Sequence, residues 1–287
     1  MGRGQLAPDV AGRGHAVTNF LTLDIEEWYH ANYSGMAPPA SAGETNLEPL
    51  VDRLIALCAP RSVRTTCFVL GSVARAKPSV VRKLHAAGHE IASHGYGHEL
   101  VYAMGRERFA EDLRASLDLL AGITGERALG YRAPSFSVRA ETLPWFYDAL
   151  EEAGVRYSSS VFPGKTFLYG VPGFPDRIHR PVVAGRQRAV LEFPVPAVRI
   201  AGRQMGLYVR LFPAWAIRRR IARDNAAGKP VILYAHPREI DPGQPRLELS
   251  FPRRVIHYWG IRGCEAKLRA IVAAAEFGRM GDYAAAL

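Results

Sequence analysis

Only three cysteines occur in 287 residues: Cys58, Cys67 and Cys264, odd in number and widely spaced. That excludes a disulfide-stapled scaffold and a zinc site built from Cys-x-x-Cys pairs. Cys67, inside Thr65-Thr66-Cys67-Phe68-Val69-Leu70, reads as a core strand residue. No apolar run approaches the roughly 20 residues that a bilayer-spanning helix needs. The N-terminus, Met1 to Val17, is polar and glycine-rich and lacks the apolar stretch of a secretory signal, so the chain as it stands reads as cytoplasmic. Lysine is scarce, and the formal charge of +10 comes almost wholly from arginine. A basic surface attracts nucleic acid, anionic lipid and phosphorylated molecules alike. With no nucleic-acid module beside it, no nucleic-acid partner is expected.

Repeats and dividing linkers are also absent. Hydrophobic residues at 48% and charged residues at 22% suit an ordinary globular enzyme. Residues 1–18 read as a flexible segment and 19–287 as a single domain. Strands are expected at Asn19–Asp24, Thr65–Leu70, around His89–Ala92, Ala128–Arg132, Arg156–Val161, Ala189–Phe193 and Pro230–His236. Helices are expected at Leu47–Leu57, Ser79–Ala87, Arg106–Ile123, Thr142–Glu152, about Pro213–Ala227, and Cys264–Phe277 as the terminal one. Phe162–Arg188 and Asp241–Pro252 read as loops. Strand and helix alternating at this spacing predict an α/β fold with a parallel sheet, open or closed into a barrel.

What stands out is Ser93-His94-Gly95-Tyr96-Gly97-His98. Two glycines between the imidazoles oppose a helix there, and a glycine-bearing turn at a strand end aims both rings into one cleft. Paired neutral imidazoles call for a carboxylate to complete a metal site. Leu23-Asp24-Ile25-Glu26-Glu27-Trp28-Tyr29-His30 offers one. A strand period of two points Asp24 and Glu26 to the same side and Glu27 to the other. Arg132 and His236 also fall at strand ends, the edge where parallel α/β folds build their sites. His30, which trails the acidic motif, stays open.

Together these segments resemble the polysaccharide deacetylases of carbohydrate esterase family 4, the NodB-homology group. Leu21-Thr22-Leu23-Asp24, His94-x-x-x-His98, Arg132-Ala133-Pro134, Leu191-Glu192-Phe193-Pro194 and Leu233-Tyr234-Ala235-His236 are similar to its five ordered motifs. More narrowly, Tyr131-Arg132-Ala133-Pro134-Ser135-Phe136-Ser137 and His236-Pro237-Arg238-Glu239-Ile240-Asp241 resemble the branch found in exopolysaccharide loci with exosortase systems.

The resemblance implies an irregular (β/α) barrel and N-deacetylation of an N-acetylated glycan. It implies zinc, or another divalent metal, with Asp24 as general base, Arg132 as its orienting partner and His236 as general acid. Ile25 stands where the family usually has its metal-binding Asp, so Glu26 becomes the ligand beside His94 and His98. The fourth motif lacks the Asp-Trp pairing that tunes the catalytic His, leaving the partner of His236 unassigned. The backbone N–H of Ser135 is expected at the oxyanion, and Trp28, Tyr96 and Phe136 as walls for the sugar. Two rivals are an allantoinase-like hydrolase of cyclic amides or ureides and a catalytically silent glycan-binding protein. Arg218, Arg219, Arg220 and Arg223, preceded by Leu207, Tyr208, Leu211, Phe212 and Trp215, suggest peripheral contact with an anionic membrane.

Overall fold

Eleven strands and intervening helices are seen in the computed structural model. It describes residues 17–30, 45–166, 169–195, 197–200, 203–207 and 209–287. Most of the expected 1–18 segment therefore lies outside the described residues, as does Tyr208. In chain order the strands are β1 (Phe20–Ile25), β2 (Thr66–Val69), β3 (Glu90–Ser93), β4 (Gly130–Tyr131) and β5 (Tyr157–Ser158). There follow β6 (Val182–Val183), β7 (Arg186–Gln187), β8 (Leu191–Glu192), β9 (Ala197–Ile200), β10 (Arg203–Gly206) and β11 (Ile232–Ala235).

Seven of them form one parallel sheet in the order β11-β1-β2-β3-β4-β5-β8, curled into a half-barrel. β6–β7 and β9–β10 are separate antiparallel hairpins. The α/β class and the irregular barrel expected from the sequence are what the structure shows.

β1 is buried at every position because both faces of the sheet are covered. Leu21, Leu23 and Ile25 join the outer core with Leu47, Leu50, Val51 and Leu54 of the helix Leu47–Cys58. The alternate set, Phe20, Thr22 and Asp24, faces the barrel interior. Phe20 packs there with Phe68, Ala92, Tyr157, Phe193 and Ile232. Along each strand the interior therefore turns from apolar at the entry to polar at the exit. That gradient is what delivers charged groups to one edge.

Several boundaries differ from the sequence reading. β4 and β5 are two residues each: Arg132 N–H still donates to Ser93 and Ser159 N–H to Tyr131, but Ser160 N–H then turns to the Glu192 carboxylate. The stretch read as loop at Phe162–Arg188 contains both β6 and β7. Of the Asp241–Pro252 loop, the end belongs to a helix, Phe251–Tyr258. The expected terminal helix is Ile261–Val272, and a shorter one, Met280–Ala285, follows. This last helix plugs the barrel floor. Met280 N–H donates to Thr66 Oγ1 (2.9 Å), and Tyr283 packs edge-on against Phe20 and Phe193. Six residues hold too little helical periodicity to be read from sequence.

Candidate active site

β1 and β3 bring the metal-type residues together. Glu26 lies immediately after β1, and His94 and His98 follow β3. One ligand atom from each of Glu26, His94 and His98 lies within 4.8 Å of the others, and all three residues are buried. His98 Nε2 is 2.8 Å and His94 Nε2 3.9 Å from Glu26 Oε2. That oxygen is buried and has no well-aligned hydrogen-bond donor among the described residues. His94 Nδ1 lies 2.8 Å from the carbonyl oxygen of Arg132, which can only accept. Nδ1 of His94 therefore carries the proton, and the Nε2 lone pair faces Glu26.

Burial would push the Glu26 carboxyl up, but His98, Arg238 and His236 outweigh it and hold Glu26 well below the usual carboxylate range. Burial lowers His94 to about 4, so its ring is neutral at ordinary pH. An ionised carboxylate and neutral imidazoles are the donor set a divalent cation requires. The residues fit a metal.

The His-bearing turn is held by neighbours that the sequence reading did not single out. Asp112, on the helix Arg106–Thr124, accepts the backbone N–H of Tyr96 (2.8 Å) and of Gly97 (3.2 Å). Gly95 has a φ of 75°, and a Cβ there would lie 2.8 Å from Asp112 Oδ2, so glycine is required on both counts. Gly71 N–H donates to the Gly95 carbonyl (2.9 Å).

Asp24 is held from the opposite side. Arg132, the largest fully buried side chain, donates from Nη1 to Asp24 Oδ1 (2.6 Å) and Thr22 Oγ1 (2.7 Å). Its Nε and Nη2 donate to the carbonyl and hydroxyl of Ser159, and its guanidinium lies 4.1 Å from the Phe68 ring centroid. With its donors fixed this way, the guanidinium orients the carboxylate instead of merely neutralising it. Asp24 Oδ2 is left 3.8 Å from His236 Nε2.

His236 follows β11 and reaches the cluster from the far side of β1, with Nε2 3.4 Å from Glu26 Oε1. The carboxylate nearest the other ring nitrogen is three residues on, beyond hydrogen-bond reach of it. Glu239 Oε2 lies 3.7 Å from His236 Nδ1 and accepts the His236 backbone N–H (3.3 Å). Arg210 Nε donates to Glu239 Oε1 (2.8 Å). Burial would raise the Glu239 carboxyl, but His236, Arg210 and Arg238 bring it down to about 2. Arg238 pairs with Glu26 Oε1. Its occupation of that oxygen turns Oε2 toward the two histidines.

The remaining expected residues are placed as follows. Ser135 and Phe136 both have left-handed backbone, φ 51° each, in the short turn after Ala133. Phe136 is buried against Tyr234 (5.1 Å) and Tyr169 (5.8 Å). Trp28 is half-buried with its ring edge-on to Tyr29, and its indole N–H is buried without a partner among the described residues. Tyr96 is half-buried with its ring lying over Gly71.

His30 stacks on His98 at 5.5 Å, and its Nδ1 accepts the Glu27 N–H (3.0 Å). Glu27 itself turns away to Thr45 and Lys77. Glu192, in the expected fourth motif, is occupied by the backbone N–H groups of Ser160 and Val161 and the Tyr147 hydroxyl. It braces the backbone after β5. Arg210, Arg238, Glu239 and Asp112 are the site-supporting residues that sequence reasoning missed. For Arg238 and Glu239 the signal was present, two charges directly behind His236 in an otherwise apolar stretch.

Residues 25–158 match the family model described as polysaccharide deacetylase, and residues 159–285 match one described only as a domain of unknown function (DUF3473). A peptidoglycan deacetylase of Helicobacter pylori is 31% identical over 116 residues, 40% of this chain and 40% of the relative. The chain spans about two fifths of the length of the curated relatives it matches. Among solved structures, a putative polysaccharide deacetylase from Mycobacterium smegmatis superposes with a TM-score of 0.64 at 19% identity, covering 98% of this chain and 94% of that one. The allantoinase Puue superposes equally well, TM-score 0.64 at 20% identity, with the same two coverages. At these identities both likenesses speak to fold alone.

Proposed function

Because the chain belongs to the polysaccharide deacetylase family, we propose that it hydrolyses the N-acetyl amide of an amino sugar in a polysaccharide or its precursor, releasing acetate. The observation that carries this reading is the convergence, at one sheet edge, of a buried metal-type triad, a carboxylate oriented by Arg132 and an imidazole backed by Glu239.

A divalent cation, zinc in the expected case, held by Glu26, His94 and His98 would polarise the acetyl carbonyl and acidify water. Asp24, fixed by Arg132, takes the proton of the attacking water as its oxygen bonds to the carbonyl carbon. The Ser135 backbone N–H supports the oxyanion. His236 donates from Nε2 to the nitrogen as the C–N bond breaks, and Glu239 steadies the charge on the ring while it holds that proton. Trp28, Tyr96 and Phe136 shape the sugar-facing side.

Acetate release from N-acetylglucosamine oligomers and from peptidoglycan, measured with and without added zinc, tests the reading. Metal-dependent release supports it. Ring-opening of allantoin without acetate release would replace it with the ureide reading, and glycan binding without turnover would replace it with a silent binder. Asp24→Asn should keep its metal and lose about 10² to 10⁴ in turnover. His236→Ala should recover much of its rate on an activated ester whose leaving group needs no proton.

A further inference from the structure

Among the described residues, four of the seven exposed large hydrophobic side chains crowd into one part of the chain: Trp215, Phe251, Val255 and Trp259, at 68%, 69%, 39% and 64% exposure. Phe251, Val255 and Trp259 are spaced by four, so the helix Phe251–Tyr258 and the residue just after it carry one continuous apolar stripe. The stripe faces away from the protein. On the other side of the same helix, His257 is buried and feels Arg238, Arg210 and Glu239. An ordinary surface helix is built the opposite way, apolar inward and charged outward.

On the same helix and at the start of the next lie Arg253, Arg254 and Arg262, none of which has a carboxylate partner among the described residues. Arg254 instead sits 5.9 Å from the Phe251 ring centroid. Acids of the same stretch are already occupied, Asp224 by Arg220 and Arg223, and Glu239 by Arg210.

This face lies on the catalytic side of the sheet. The helix Ala214–Ala226 leads by a short turn into β11 and so runs against it, placing Trp215 near the edge where β11 delivers His236. Arg210, which holds Glu239, also donates to the Trp259 carbonyl (3.0 Å). Exposed aromatics and cations thus adjoin the structure that supports the proton donor.

We propose that this face docks on an anionic lipid bilayer. Tryptophan and phenylalanine seat at the headgroup level while the arginines pair with lipid phosphates, which is how peripheral segments hold a membrane. Phe251 and Val255 offer a soluble glycan no hydrogen bond, and a second copy of the chain would set the three cations against their own kind. The sequence reading placed this contact on Leu207 to Trp215 and the helix after it. The structure buries Leu207, Ile217 and Ile221 and moves the apolar part to Phe251–Trp259. The inference does not depend on the deacetylase reading.

Flotation of the full chain with phosphatidylcholine vesicles, with and without phosphatidylglycerol, tests it. Binding is expected only where phosphatidylglycerol is present, and should be lost as salt shortens the Debye length from about 10 Å to about 3 Å. The Phe251→Ser/Trp259→Ser double variant should lower partitioning roughly tenfold or more. Arg253→Ala and Arg254→Ala should each lower it roughly fivefold. Metal content and hydrolysis of a small soluble substrate should stay unchanged in all of these, which checks their folding without reading the membrane. Failure to float at low salt overturns the proposal. So does equal binding to neutral vesicles, dimerisation abolished by Phe251→Ser/Trp259→Ser, or binding of a soluble anionic polysaccharide lost in the same variant.

Discussion

Glu26 and Glu27 are adjacent and chemically identical, yet the fold gives them opposite surroundings. Glu26 faces three imidazoles and the Arg238 guanidinium, while Glu27 is tied to Thr45 and Lys77, with burial pushing its carboxyl up. Glu26→Ala should strip bound metal from the purified protein and Glu27→Ala should leave it, as read by metal analysis of the two variants. The strand period of two was enough to choose between them in advance. It could not supply Glu239, because a side chain that supports a histidine looks in sequence like any charge behind a strand. Glu239→Gln should keep the metal and the fold but slow amide cleavage. Its loss should be much smaller on an activated ester whose leaving group needs no proton. If both substrates slow equally, Glu239 only braces Arg210.

At the scale of elements, long periodic segments were legible and short ones were not. The helix read at Arg106–Ile123 is Arg106–Thr124 and that at Leu47–Leu57 is Leu47–Cys58, because each packs one apolar stripe on the sheet. β4 and β5 shrink to two residues, and Gly71–Ala76 and Met280–Ala285 were invisible, since their positions are set by tertiary contacts instead of by their own pattern. Gly71–Ala76 matters most for the site. A Cβ on Gly71 would come 2.4 Å from the Tyr96 ring, inside the turn that carries His94 and His98. Gly71→Ala should therefore displace that turn and weaken metal affinity while the far-ultraviolet circular dichroism stays that of the parent. Unchanged affinity would mean Tyr96 can move without the histidines.

Across the whole molecule, the boundary between the two family matches falls at residue 158, yet it separates nothing in space. The segment 159–285 supplies β8 and β11 to the same sheet, and with them His236, Arg238 and Glu239. The region matched only by a model of unknown function is here the half that brings the His236 imidazole to the metal-type cluster. Acid sensitivity is also a property of the whole. Burial lowers His89 to about 4 and His257 to about 3, and His89 Nδ1 accepts the Thr65 N–H (3.1 Å). Both rings are neutral when folded, whereas the unfolded chain takes up those protons near pH 6.5. Their contribution is complete above about pH 6.5 and is lost as pH falls toward 4, at up to about 1.4 kcal/mol per pH unit for each group. Urea midpoints measured from about pH 7.5 to about pH 5 should fall less steeply in His89→Gln than in the parent protein. Identical slopes would exclude His89 as a contributor.

The order of strands in the sheet has a consequence in time. β1 sits between β2, which follows it by some 40 residues, and β11, which arrives more than 200 residues later. As the chain is synthesised, Glu26, His94 and His98 have all emerged while His236 is still well over a hundred residues from being made. At about 5 to 20 residues per second that interval is roughly 7 to 28 seconds. During it the growing chain has the metal-type residues but not the imidazole that completes the cluster. Under the mechanism proposed above, a chain halted before its last strand would hold a cation without being able to cleave the amide.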